Sequence, residues 1–174
     1  FTHAFFKALL FLCAASVIYG CHHEQNIFKM GGLKKKMPVT FWTFTVGFLA
    51  IAGIPGFSGF FSKDEILWYA FSSPHGGILL WLTLAVAAMF TALYMFRLLY
   101  LTFDGKERFD HHHVHPHESP KTMTFALVVL AILSALGGFV NIPHALTPWV
   151  HSNPPFMEFL SPVFAQANFI MGEH

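Results

Sequence analysis

Residues 39–72 set the strongest limit on how this chain can fold. No charged side chain occurs from Val39 to Ser62, and Gly53-Ile54-Pro55-Gly56 interrupts that apolar run. Lys63, Asp64 and Glu65 follow, and apolar residues resume from Ile66 to Phe71. A straight membrane-crossing helix needs roughly 20 residues. The stretch 39–72 is too long for one such helix and too short for two with a turn. Pro55 has no N–H and clashes with the preceding turn, while Gly53 and Gly56 relax the backbone beside it. The pattern predicts one crossing made of two half-helices, about 39–53 and 58–72, joined by an unwound linker at 53–57. Unwound backbone at membrane depth is tolerated only where protein buries it or where it lines a wet cavity.

The rest of the chain has the same character. Apolar residues make up 55% of the 174, aromatic 17% and charged only 11%, with a mean hydropathy of +0.54. This is a membrane composition and excludes an ordinary soluble domain. Three further apolar stretches, about 1–20, 77–103 and 122–142, predict three more crossings. The expected fold is all-α: a polytopic membrane helix bundle in a single domain, with one discontinuous helix. The chain begins without Met in an apolar context, so we expect a fragment of a longer multi-spanning protein. A lipoprotein signal ending at Cys21 is the competing reading of the first stretch. Cys13 and Cys21 lie in or at the end of an apolar helix, where packing explains them.

Charge placement predicts orientation. Lys29, Lys34, Lys35 and Lys36 fall between the first two apolar stretches, and Arg97, Lys106, Arg108 and Lys121 at or between the last two. The turn 73–76 and the tail 122–174 contain neither Lys nor Arg. By the positive-inside rule, connections 21–38 and 104–121 are cytoplasmic and the tail 143–174 is extracytoplasmic. The three consecutive lysines then serve topology and anionic headgroups. Arg97 can snorkel to the interface. His22, His23 and Glu24, and the run His111, His112, His113, His115 and His117, invite a metal reading. A solvated interface explains the first group, and no Cys accompanies the second, which Pro116 interrupts. We expect no metal.

Lys7 and Lys63 remain. Counted from an interface near Ile18, Lys7 lies ~16 Å deep at ~1.5 Å per residue. Counted from Ser73, Lys63 lies ~15 Å deep from the other face. His3 shares a helical face with Lys7. The competing reading ends the helix at Phe61 and makes Lys63-Asp64-Glu65 an extracytoplasmic connection. An ammonium at mid-bilayer costs a few kcal/mol or more, and desolvation favours its neutral form. Such an amine can load a proton on one side and release it on another. A hundredfold change in proton affinity, ~2.7 kcal/mol, exceeds the ~2.3 kcal/mol needed to move one charge across 100 mV. The chain has no Gly-rich nucleotide loop, no Cys cluster and no flavin or haem motif, and nothing in it points to nucleic acid. A driving reaction would have to occur elsewhere.

Three blocks, THAFFKALLFL at 2–12, HHEQNIFKMGGLKKKMP at 22–38 and AGIPGFSGFFSKDEIL at 52–67, closely resemble the antiporter-like membrane subunits of bacterial respiratory complex I, of the chain L or subunit 5 type. The resemblance runs through about residue 110. It implies a proton-translocating subunit of NADH:quinone oxidoreductase, multi-pass in the bacterial inner membrane and bound to other membrane-arm subunits. It implies that this chain carries no cofactor, while NADH, FMN, iron–sulfur clusters and quinone act in other subunits. The family's central-axis histidine and lysine fall on His3 and Lys7. Its broken-helix lysine falls on Lys63, followed by Asp64, and belongs to the exit half-channel. The family often has Pro-Pro where this chain has Pro55-Gly56. Two alternatives share the same helices: a subunit of a multi-subunit cation/proton antiporter, and a span that only holds an assembly together.

Overall fold

A computed structural model describes residues 2–74, 76–109, 115–141 and 159–163. The described residues form helices and no strand. In chain order they are α1 (Thr2–Gly20), α2 (Pro38–Ala52), α3 (Ser58–Ser72), α4 (Ile78–Leu99) and α5 (Lys121–Leu136). Three stretches are long and apolar enough to cross a membrane: Thr2–Gly20, Ile78–Asp104 and Lys121–Phe139. The helix Pro38–Ala52 is apolar but shorter. Nearly all of the tail 143–174, and His111–His113 of the histidine run, lie outside the described residues.

Pro38 opens α2 at a position where its missing N–H costs nothing. Gly53 closes it in the left-handed region, φ 80 and ψ 35. The Gly53 amide donates to Ala50 O at 3.1 Å and the Ile54 amide to Leu49 O at 3.1 Å. This paired closure satisfies carbonyls that a helix end would otherwise leave bare. Pro55 prevents resumption, Gly56 turns the chain at φ 93, and α3 starts from an extended Phe57. Helical backbone then runs unbroken through Phe61, Lys63, Asp64 and Glu65 to Ser72. The chain therefore does not leave the helix at Phe61.

The core lies among α1, α2 and α5, which pack against one another along their lengths. Leu9, Cys13 and Leu127 are fully buried there, beside Phe6, Leu10, Phe41 and Phe44. α1 and α2 run antiparallel: Ser16 meets Thr40, Cys13 meets Thr43, and Gly47 admits Leu9 and Leu10. At the break, a Cβ on Gly59 would strike the Ala50 carbonyl, so α3 starts in backbone contact with the last turn of α2. A Cβ on Gly138 would lie 2.6 Å from Ser58 Cα, so the end of α5 closes over the same point. α4 is different. Only Met95 and Leu99 near its end are buried, and Ile78, Leu79 and Phe90 stand exposed, as expected of a lipid-facing or partner-facing span.

The two basic connections are knitted together. A π-helical turn, Tyr100–Asp104, ends α4 and buries Phe103 against Phe41 and Phe44. Arg108 donates to the carbonyls of Ile27, Phe28, Leu101 and Lys106. Lys34 pairs with Asp104 at 3.3 Å and Lys36 with Glu107 at 3.5 Å. Arg97 lies over the Phe28 ring, 5.9 Å from its centroid. Two of the three consecutive lysines thus have carboxylate partners within the chain. As exposed pairs they are worth at most about 1 kcal/mol each.

Two outcomes follow. Gly59→Ala should lower stability by about 1–3 kcal/mol, the usual cost of overpacking, while Gly77→Ala, whose Cβ would meet nothing within 4 Å, should leave the melting temperature unchanged. The native thiols should resist alkylation in the folded protein. Cys13 is fully buried, and burial, with help from Glu24, pushes the Cys21 thiol up to about 11. Maleimide labelling of Cys21 should stay slow at neutral pH and rise only as pH climbs toward that value. Rapid labelling at pH 7 would contradict the packing of α1 described above.

Candidate functional site: the helix break and its lysine

The break builds the site because a glycine leaves room there. An ideal Cβ on Gly53 would lie 3.0 Å from Lys63 Cδ, so the lysine's aliphatic stem crosses the point where α2 ends. Lys63 Nζ is buried and has no hydrogen-bond partner among the described residues. The C-terminal end of a helix carries partial negative charge and favours a cation. The stem thus runs past a helix end whose field favours a cation, while burial of Nζ disfavours one, and no carboxylate among the described residues pairs with it. Asp64 is exposed, and sequence neighbours on a helix do not face each other.

His3 and Lys7 occupy the opposite kind of position. Both are exposed on α1, and Phe11 continues their face, with Lys7 Nζ 5.3 Å from its ring centroid. The His3 ring meets Phe6 edge-on at 5.2 Å. The antiparallel pairing of α1 and α2 nonetheless brings all three groups to a similar level. Lys7 stands ~20 Å along α1 from Gly20, and Gly53 ~22 Å along α2 from Pro38, at ~1.5 Å per residue. Thr2 Oγ1 donates to Ser62 Oγ at 3.1 Å, which ties the residue before His3 to the residue before Lys63. Among the described residues, no hydrogen bond or ion pair joins Lys63 to His3 or Lys7.

Three buried hydroxyls, Ser58, Ser134 and, at the far end of α4, Thr102, also have no hydrogen-bond partner among the described residues. Ser58 opens α3 at the break, and Ser134 lies one turn before Gly138, which packs on Ser58. Polar atoms that are buried without partners are uncommon and concentrate where function demands them.

A second polar group lies at the opposite end of the bundle, beside Lys34–Lys36 at the start of α2, and escaped the sequence reading. Glu118 Oε2 accepts from the amides of Val39 at 2.8 Å and Thr40 at 3.3 Å, and Oε1 accepts from Thr40 Oγ1 at 2.6 Å. Thr40 Oγ1 is 2.8 Å from Ser16 Oγ, which is 2.6 Å from Ser119 Oγ. The signal was faint: Ser16, Thr40 and Thr43 are hydroxyls spaced along otherwise apolar spans. Nothing in the spacing said that a glutamate in a distant loop would meet them.

No set of three His, Cys, Asp or Glu side chains converges as a metal site among the described residues. His22 and His117 approach edge-on, 6.0 Å between ring centroids.

Comparison with known proteins places the chain. A family described as NADH:quinone oxidoreductase/Mrp antiporter, TM, matches residues 1–92. NADH-quinone oxidoreductase subunit L of Rhodobacter capsulatus is 45% identical over 163 residues, covering 87% of this chain and 22% of that protein. The Escherichia coli subunit L is 48% identical over 143 residues, covering 82% and 22%. NAD(P)H-quinone oxidoreductase chain 5 of a Picosynechococcus is 44% identical over 169 residues, covering 82% and 25%. The chain spans about a quarter of the length of these relatives. Among solved structures, a chain of the membrane-bound sulfane sulfur reductase, an archaeal respiratory membrane complex, superposes with a TM-score of 0.72. It is 26% identical, and the match covers 99% of this chain and 31% of that one. With its apolar all-α fold and a family match over more than half its length, the chain is a multi-pass membrane protein and belongs to the NADH:quinone oxidoreductase/Mrp antiporter transmembrane family.

Proposed function

We propose that this chain is the part of a complex I antiporter-like subunit that moves protons across the bacterial inner membrane, using Lys63, Lys7 and His3. The observation that carries the reading is the burial of Lys63 Nζ against the break between α2 and α3. In this reading α2 and α3 form one discontinuous crossing, and the end that carries Lys34–Lys36 faces the cytoplasm. Lys63 exchanges a proton between ammonium and free amine: one N–H bond breaks, and the proton passes to water on the exit side. A small shift of α3 relative to the end of α2 changes how much helix-end charge the ammonium feels. That shift is the step coupled to quinone reduction, which other subunits carry out with NADH, FMN and iron–sulfur clusters. Lys7 and His3 sit at the same level on the outer face of α1 and hand protons on from the remainder of the subunit. Asp64, exposed on the next position of α3, is an acceptor near the exit that can take the proton once Lys63 has let it go.

The names of the curated relatives support an oxidoreductase subunit over a free-standing antiporter, although the family description covers both. Sodium-dependent transport by the purified assembly would favour the antiporter. Lys63→Met and Lys7→Met in the whole complex should each depress proton pumping and NADH:quinone turnover together, by about 10²-fold, the lower end for loss of a positioned proton-transfer group, while the complex still assembles. A span that only holds the assembly together would leave both rates intact. Gly53→Ala should also reduce pumping, because its φ of 80 and the Lys63 stem beside it both resist a Cβ.

A further inference from the structure

The end of α1 closes in a way its sequence does not favour. The His23 amide donates to Ile18 O at 2.8 Å and the His22 amide to Tyr19 O at 3.3 Å. This paired closure usually sets a glycine in the left-handed region just past the helix, as Gly53 does for α2. Here that position is His22, at φ 54, and His23 follows at φ 67. They are the only non-glycine residues with positive φ among the described residues. A side chain in that region crowds its own backbone, and such strain is kept where the surroundings or the function demand it. Both imidazoles are exposed, so core packing does not demand them.

The strained turn carries His22 to His117. The segment before α5 lies directly on the end of α1: the His117 amide donates to Gly20 O at 3.4 Å, and Ser119 Oγ is 2.6 Å from Ser16 Oγ. A Cβ on Gly20 would strike the His117 carbonyl. Backbone contact therefore brings the two imidazoles together, with ring centroids 6.0 Å apart and planes at 88°. The Tyr19 ring also meets His117 edge-on, at 5.6 Å. His117 Nδ1 lies 3.0 Å from the Glu118 carbonyl oxygen. A carbonyl only accepts, so Nδ1 carries the hydrogen and Nε2 of the neutral ring is the bare acceptor. Metal-ligating imidazoles are held in this way, one nitrogen donating to a carbonyl and the other facing the ion. Two imidazoles bound to one tetrahedral ion at ~2.0–2.1 Å hold their rings roughly 5–6 Å apart.

We propose that His22 and His117 form a binding site for a divalent ion of borderline softness, zinc above all, where the end of α1 meets the segment leading into α5. The helix break and Lys63 take no part, so this inference stands apart from the proton-translocating reading. Imidazole suits zinc, copper and nickel, whereas magnesium and calcium take oxygen ligands. The carboxylates adjacent in sequence are committed elsewhere. Glu24 accepts from the amides of Gln25 and Asn26, and Glu118 from those of Val39, Thr40 and Ser119 and from the Thr40 hydroxyl. No group of three His, Cys, Asp or Glu converges among the described residues, so water completes the coordination. A site with two protein ligands binds reversibly, unlike the four-ligand sites of structural zinc. Bound zinc ties the end of α1 to the start of α5, two helices of the core. Each histidine group by itself lacks a ligand set, and only tertiary contact joins them.

The test uses the complete complex, washed with chelator and titrated with zinc alone. Diethyl pyrocarbonate, which modifies free imidazole nitrogen, is applied with and without zinc, and each histidine is read by mass spectrometry. With zinc at about ten times its dissociation constant, modification of His22 and His117 should each slow about tenfold, with a common midpoint, while magnesium gives no protection. His22→Gly puts the usual residue in the left-handed turn, so the fold is kept while a ligand is lost. Protection of His117 should then disappear. His117→Phe keeps an aromatic ring against Tyr19, and protection of His22 should likewise disappear. Protection of neither histidine, protection of one without the other, equal protection by magnesium, or a His117 still protected in His22→Gly would each overturn the shared site. Should His117→Phe fail to assemble, the unmodified sequence and His22→Gly decide alone. None of these readouts depends on pumping.

Discussion

Where helical backbone stops between α2 and α3, the last carbonyls of one helix and the first amides of the next need partners, and the structure is arranged to supply them. Gly53 accepts the left-handed turn that returns two amides to the last carbonyls of α2. Gly59 lets α3 start in contact with the same turn, and Gly138 brings α5 over it. Three segments therefore cover the break, with the Phe61 ring packed at the Gly138 contact. At Gly53 the side chain admitted is Lys63, whose stem crosses it. The position of that amine follows from how the break is closed.

The two ends of the bundle are built on different principles. At the end that carries Lys34–Lys36, Arg108, the pairs Lys34–Asp104 and Lys36–Glu107, and Glu118 with its hydroxyls tie the connections together, and Thr102 Oγ1 is the buried hydroxyl there without a partner among the described residues. That end is specified bond by bond and resists rearrangement. At the break, Lys63, Ser58 and Ser134 are buried with no protein partner among the described residues. Polar groups buried without fixed partners are uncommon, and their clustering here sets the break apart from the other end. Between the two lies an apolar seam of Leu9, Leu10, Phe44 and Leu127, which isolates one end from the other.

Much of this was legible in the sequence. Apolar content and the spacing of basic residues mark an all-α membrane chain, because lipid admits few other solutions for a chain of this composition. Gly53, Pro55 and Gly56 mark where helical backbone stops, since their conformational limits are local. The three sequence blocks pointed to the family by identity of residues. Contacts between distant parts of the chain were beyond reach. Thr40 and Glu118 are 78 positions apart, and Ser16 and Ser119 are 103 apart. No local rule pairs them. The basic residues at 34–36 read as headgroup contacts because Asp104 and Glu107 sit in another loop, and only tertiary folding brings them into reach. The exposure of His3 and Lys7 on the outside of α1 was equally hidden, because periodicity says which residues share a face and not what that face meets.

The central claim is that the side chain at position 63 lies within the membrane, shielded from both aqueous phases at rest. Its direct test is labelling of Lys63→Cys and Ser73→Cys in sealed vesicles with a membrane-impermeant maleimide, in a background where Cys13 and Cys21 have been replaced. The account predicts fast labelling at position 73 and labelling at position 63 that is slower by orders of magnitude and rises during turnover. Equal rates at the two positions in the resting complex would put residue 63 at the surface and contradict the account.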